Sequence, residues 1–185
     1  MTTKTRVSLE DFLRLDETKP GLELIDGEVV QKSMPSLSHG TVVAELLGDL
    51  VVYLRSSREG RVVTEVRHAD RPEEWVFLPD VSVTLEARRP AAAADVRGPV
   101  DVMPDFAIEV LSPDDKPGRI SQKIAHYMRS GVRLLWVIDP ETERVTIWQP
   151  DEAPRLAAAG DILTAEPVLA AFTLDLAALF EQLHS

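Results

Sequence analysis

The sequence predicts an α/β fold: a mixed β-sheet flanked by helices and preceded by an N-terminal β-hairpin. Three observations predict it. LELI and EVVQKS flank Asp26-Gly27, a dipeptide that reaches the positive φ values of a type I′ turn at low cost, and Glu28 opens the second strand. From about Ser38 to Ser57, the residues Val43, Leu46, Leu47, Leu50, Tyr53 and Leu54 recur at helical spacing with Glu45, Asp49 and Arg55 between them, the pattern of a long amphipathic helix. The helical stretch RISQKIAHYMRSG at 119–131, closed by Gly131, lies between the apolar runs FAIEVLS at 106–112 and LLWVIDP at 134–140. Those runs therefore read as parallel neighbours joined by a crossover.

The other elements fall around this frame. Ser8, followed three residues later by Asp11, resembles a capping box ahead of Leu9, Phe12 and Leu13, so a short helix precedes the hairpin. RVVTEVRH at 61–68 and WVFLPDVSVTL at 75–85 read as two strands, and alternation along the second sets Asp80 on the side opposite Trp75, Phe77, Val81 and Val83. An Ala-rich loop, PAAAADVRGP, occupies 90–99. RVTIWQP at 144–150 is a further strand, and LDLAALFEQL at 174–183 a final helix.

A chain of 185 residues suits one domain, 1–185, with its core at about 20–150 and a C-terminal extension at 151–185. Apolar content of 44% is that of a folded globular chain, and runs such as LLWVI at 134–138 are too short to span a bilayer, so no membrane partner is expected. MTTKTRVSLEDF lacks the apolar stretch of a secretion signal and there is no cysteine, which makes the expected location cytoplasmic and excludes disulfides and thiolate metal sites. The net charge of −11, from 31 acidic and 20 basic residues, argues against nonspecific coating of nucleic acid. It leaves room for a local basic groove, for which Arg88, Arg89, Lys116, Arg119, Lys123, Arg129 and Arg133 are candidates, or equally for a solvated mixed surface.

Chemistry concentrates around two Pro-Asp dipeptides, Pro79-Asp80 and Pro104-Asp105, and above all Glu109, a lone carboxylate in an apolar strand. An unpaired charge there costs several kcal/mol, so something compensates it. Two readings do so: a salt bridge or wet edge strand, or a divalent cation shared with Asp80 from the adjacent strand, since hard oxygen ligands suit Mg²⁺ or Mn²⁺. On the helix after that strand, Lys123 borders the stripe of Ile120, Ile124 and Tyr127 and aligns with Arg119 and His126. It either leans over the strand ends or lies along the surface on its aliphatic stem.

Taken in order, GLELIDGEVV, the His39 segment before the long helix, FLPDVSV, PDFAIEVLSP and QKIAHYMRSGVRLLWVIDPETERVTIW resemble the Uma-type family of restriction endonucleases within the PD-(D/E)XK superfamily, over roughly residues 7 to 180. The resemblance implies a restriction-endonuclease-like core. It also implies Mg²⁺- or Mn²⁺-dependent hydrolysis of phosphodiester bonds in nucleic acid, with DNA the first candidate, and a homodimer or higher homo-oligomer. It places the motif carboxylates at Asp80 and Glu109, with the backbone carbonyl of Val110 as a further metal ligand. The position two after Glu109 is Leu111 where the superfamily has lysine, and the family's basic group from the following helix corresponds to Lys123. Glu28 and His39 fall in matching segments, as an additional carboxylate and a polar neighbour; a helix-start histidine satisfied by local backbone is the other reading of His39.

Two other classes stand beside a nuclease. One is a catalytically silent nuclease-fold protein that acts as a binding module, favoured by the acidic charge. The other is a hydrolase of small phosphoesters. A Gly-rich phosphate loop, an HExxH pair and a GxSxG elbow are all missing from the sequence, so kinase-like, zinc-protease and serine-hydrolase readings lack their motifs.

Overall fold

A computed structural model describes residues 6–89 and 98–184; most of the Ala-rich loop, 90–97, lies outside the described residues. The hairpin forms as its turn dictates. Strands β1 (Leu22–Ile25) and β2 (Glu28–Gln31) pair antiparallel with Ile25 opposite Glu28, and Asp26 and Gly27 take φ values of 51° and 74°. They belong to a four-stranded sheet in the order β2-β1-β5-β4, where β4 is His68–Asp70 and β5 is Trp75–Phe77. Helix α1 (Leu9–Leu13), capped by Ser8, sets Leu9 and Phe12 against Leu24, Ala69 and Val76 of this sheet.

A second sheet has six strands in the order β10-β9-β8-β7-β6-β3: β3 Gly60–Thr64, β6 Val81–Leu85, β7 Phe106–Val110, β8 Leu134–Asp139, β9 Arg144–Trp148 and β10 Arg155–Ala158. Only β7 and β8 run parallel, as the crossover by α3 (Pro117–Arg129) requires. The sheet is therefore mixed, with helices on both sides. On one face, α2 (Leu37–Ser57) packs Val42, Leu46, Leu50 and Leu54 against Val81, Val83, Phe106, Ile108 and Trp136. By length and composition α2 could cross a membrane, but here its apolar stripe forms the core. On the other face, Ala107, Leu135 and Val137 meet Tyr127 of α3 and Ile25 and Phe77 of the smaller sheet. Residues two apart share a strand face, so Glu109 lies on the Ala107 side of β7, toward α3 and the hairpin sheet.

The runs 61–68 and 75–85 are not single strands, and each is divided between the two sheets. The first leaves its ladder at Glu65, which has φ 53°. The second breaks at Leu78-Pro79-Asp80, because proline has no N–H to give a ladder. Asp80 thus stands where the chain crosses from one sheet to the other.

The C-terminal segment is built into the main core. After β10, strands β11 (Ile162–Ala165) and β12 (Leu169–Asp175) form a ribbon whose Leu163, Leu169, Phe172 and Leu174 join the α2 side, followed by α4 (Leu176–Glu181). Helix α4 starts later than the expected 174 because Asp175 ends the strand and caps the helix, its carboxylate accepting from the N–H groups of Ala177 and Ala178.

Candidate active site

Three carboxylates and two ammonium groups, all buried or nearly so, converge where the two sheets meet α3. Asp80 is 2% exposed. Its Oδ2 accepts the backbone N–H of Val110 at 2.7 Å, while its Oδ1 lies 2.5 Å from Lys32 Nζ and 3.3 Å from His39 Nε2. On β7, Glu109 accepts the Tyr127 hydroxyl at 2.7 Å and pairs with Lys123 Nζ at 2.8 Å through the same Oε1. Lys123 also reaches Glu23 Oε1 at 2.9 Å, and that oxygen accepts the N–H of Leu78. Lys32 donates to the Leu78 carbonyl, so Glu23 and Lys32 hold the crossing segment from both sides.

The electrostatics follow from this crowding. Burial opposes charge on Lys32 and Lys123, yet the surrounding carboxylates outweigh it and raise both amines above the ordinary lysine range: Asp80, Glu109, Glu23 and Glu65 for Lys32, Glu109 and Glu23 for Lys123. Burial, reinforced by Glu109 and Glu23, also pushes the Tyr127 phenol well up, so it remains a proton donor. The surrounding carboxylates thus favour the protonated, positively charged form of both amines.

A cavity of about 210 Å³ opens onto this cluster, lined among others by Glu23, Lys32, His39, Asp80, Glu109 and Lys123. Of the residues singled out in the sequence, Asp80, Glu109, Val110, Lys123 and His39 line it together, and Glu28 does not. Glu28 is partly exposed and pairs at 3.0 Å with Arg119, itself a lining residue. The hairpin carboxylate in the cavity is Glu23, five positions earlier. A signal for it existed, since Glu23 is a lone charge among Leu22, Leu24 and Ile25, the same pattern that marked Glu109. Lys32 and Tyr127 were missed as well: the first sits in a polar run, and the second reads as core. Helix α3 buries Lys123, His126 and Tyr127, with Lys123 on the carboxylates and His126 and Tyr127 on Trp75 and Phe77, while Ile120 and Ile124 stay partly exposed at the margin of the apolar cluster.

The expected basic groove gathers only in part. Lys116, Arg119 and Lys123 line the cavity, but Arg88 pairs with Asp105, Arg89 with Glu86, Arg129 contacts His126, and Arg133 donates to the Pro167 carbonyl.

Among the described residues no three His, Cys, Asp or Glu side chains form a ready metal-ligand set, since Lys123 bridges Glu23 and Glu109 and Lys32 holds Asp80. The donors nevertheless fit a hard divalent cation, being carboxylate oxygens brought together from β1, β7 and the crossing segment ahead of β6. Beside them, both ring nitrogens of His39 are buried with no hydrogen-bond partner, as the 3.3 Å approach to Asp80 lacks hydrogen-bond geometry. Local backbone does not satisfy that ring, and a polar ligand in the cavity would.

Comparison with known proteins agrees with this architecture. A search of curated proteins finds no match. Among solved structures, the "putative nuclease belonging to DUF820" from Anabaena variabilis ATCC 29413 is 26% identical, superposes with a TM-score of 0.87, and covers 96% of this chain and 99% of its own. The DrdV–DNA complex matches at 12% identity and a TM-score of 0.30 over 77% of this chain and 13% of its own, too remote to carry an argument. The Uma2 model, described as "Putative restriction endonuclease", matches residues 9–177, nearly the whole length. With its mixed sheet, its flanking helices and that match, the chain belongs to the Uma2 family.

Proposed function

We propose that the chain is a metal-dependent endonuclease that hydrolyses phosphodiester bonds in nucleic acid, with DNA the first candidate. The supporting observation is the convergence of Asp80, Glu109 and Lys123, from three separate elements, in one cavity with Asp80 hydrogen-bonded to the residue after Glu109. Asp80 and Glu109, with the Val110 carbonyl, are the residues that would hold Mg²⁺ or Mn²⁺. When bound, such an ion supplies a water of lowered pKa and offsets charge on the attacked phosphate.

The protein's own groups do the rest. A water oxygen bonds to phosphorus and its proton passes to bulk water, while the bond to the leaving sugar oxygen breaks and that oxygen takes up a proton from solvent. Lys123, held protonated, presents a fixed positive charge to the phosphate and orients the water. Glu23 and Tyr127 are positioning residues: one fixes the Lys123 ammonium, the other fixes the Glu109 carboxylate.

One observation favours a second reading, a catalytically silent binding module: each buried carboxylate already has an ammonium partner. A single experiment separates the two. The purified chain is incubated with Mg²⁺ or Mn²⁺ and single-stranded, duplex and branched DNA, RNA, and small phosphoesters, beside an Asp80→Ala control. Ion-dependent strand cleavage that disappears in Asp80→Ala supports the nuclease. Binding of nucleic acid with no cleavage under any ion supports the module.

A further inference from the structure

Two lysines enter the cavity, and they are held differently. Lys123 is 6% exposed at its side chain and bridges two carboxylates under α3. Lys32 is 13% exposed at its side chain, and it lines both the cavity and an adjoining groove of about 940 Å³ that also contains Lys19, Ser33 and Arg67. Its backbone is held, with its N–H donating to the Gly21 carbonyl at 3.0 Å, so a displacement of the ammonium falls to the side chain.

The two oxygens of Asp80 are unequal. Oδ2 is engaged by the N–H of Val110, which makes Oδ1 the oxygen open to a cation, and Lys32 Nζ sits on it at 2.5 Å. An ion that uses Asp80 Oδ1 as a ligand must contend with that ammonium, because two cations beside one oxygen repel each other. Further contacts of Lys32, to the Leu78 carbonyl at 2.9 Å and Glu65 at 3.3 Å, lie on the groove side of the cavity where a displaced ammonium would remain tethered.

We propose that Lys32 is a second catalytic lysine, which fills the cation position on Asp80 in the ion-free protein and turns onto the substrate phosphate when a divalent ion takes that oxygen. This rests on the nuclease reading. It accounts for the lack of a ready ligand set among the described carboxylates, and it gives the phosphate a mobile positive charge beside the fixed one of Lys123.

The test uses the full chain as wild type, Lys32→Met, Lys32→Gln and Asp80→Ala, with Mn²⁺ as the probe. Calorimetry is expected to show Mn²⁺ binding about tenfold tighter in both Lys32 variants, equivalent to about 1.4 kcal/mol, and none at this site in Asp80→Ala. At saturating Mn²⁺, kcat for DNA cleavage is expected to fall about a hundredfold in the same variants. Opposite signs for ion affinity and turnover are the signature, since a merely structural lysine would weaken both. Should the variants fold poorly, acetylation footprinting of wild type reads the same event: Lys32 gains reactivity on Mn²⁺ addition while Lys123 does not. Mn²⁺ affinity unchanged or weaker without Lys32, unchanged kcat, or unchanged Lys32 reactivity each overturns the proposal and leaves the nuclease reading standing, provided Asp80→Ala loses ion and cleavage. Equal Mn²⁺ affinity in wild type and Asp80→Ala, without cleavage, overturns both.

Discussion

Asp80 Oδ2 and the backbone N–H of Val110 are 2.7 Å apart, so the first carboxylate of the cavity is tied to the residue that directly follows the second. Asp80→Ala therefore removes the acceptor of a buried N–H and the partner of Lys32 together, and with them the ligand oxygen that the proposed function requires. We expect a loss of about 3–5 kcal/mol in denaturant unfolding, the usual cost of breaking a buried charge pair. Mn²⁺ should no longer raise the melting temperature. Wild-type stability in this variant would contradict the assigned geometry.

Replacing Lys123 gives a different result from the one its sequence position suggests. As a lysine leaning over the strand ends, it could be changed to Met with ion-induced stabilisation almost intact. In the fold it bridges Glu23 and Glu109, both buried, and Lys123→Met leaves two carboxylates facing each other. The ion-free variant should be several kcal/mol less stable. Its rise in melting temperature with Mn²⁺ should exceed that of wild type, because a cation then relieves more repulsion. Parallel thermal melts with and without Mn²⁺ decide the matter.

Glu23 and Glu28 bracket the same hairpin turn and should respond unequally. Glu23→Gln keeps an acceptor for the N–H of Leu78 but removes one charge from Lys123, for an expected loss of about 1–3 kcal/mol. Glu28→Gln touches a partly exposed pair with Arg119 and should cost less than about 1 kcal/mol. Urea midpoints in the reverse order would show that the second carboxylate, not the first, is integral to the cluster.

Stability should also fall on mild acidification. Burial pushes the imidazoles of His68 and His126 below the ordinary histidine range, despite the Val102 carbonyl beside one and Asp70 beside the other. The unfolded chain then binds the more protons below about pH 6.5, so this stability is complete above that pH and is lost as pH falls toward the folded-state values. Each histidine contributes at most about 1.4 kcal/mol per pH unit. Urea unfolding between about pH 7.5 and about pH 5.5 should show the slope, and His68→Gln should reduce it to the contribution of His126. A wild-type profile flat across that window would be inconsistent with two neutral buried imidazoles.

What the sequence disclosed depended on range. The Asp26-Gly27 turn and the stripe of α2 are set by neighbours within a few residues, and the crossover between β7 and β8 by one uninterrupted strand-helix-strand run; all three are found. The division of 61–68 and 75–85 between two sheets was hidden, because alternation continues in phase across Pro79 and Glu65 while the ladder partners change. Ribbon β11-β12 escaped notice since β11 has only four residues and the end of β12 runs directly into the helical pattern of α4. In the cavity, Asp80 and Glu109 were legible as charges that an apolar run makes conspicuous. Lys32 was not, for its partner Asp80 is 48 positions away and nothing local sets it apart.

The cavity draws Glu23 and Lys32 from one two-stranded unit, and Asp80 and Glu109 from another sheet or its approach. Its charge balance is therefore a matter of alignment as much as of composition. A slip of one residue between β1 and β2 would reverse the side on which either strand presents its side chains, withdrawing Glu23 or Lys32 from the cluster. Gly27, at φ 74°, holds that alignment through a turn that a bulkier residue would strain. A glycine outside the cavity lining thus acts as the indexing pin of the cluster, and substitutions at the hairpin tip should be felt first as a loss of the Glu23–Lys123 and Lys32–Asp80 pairs.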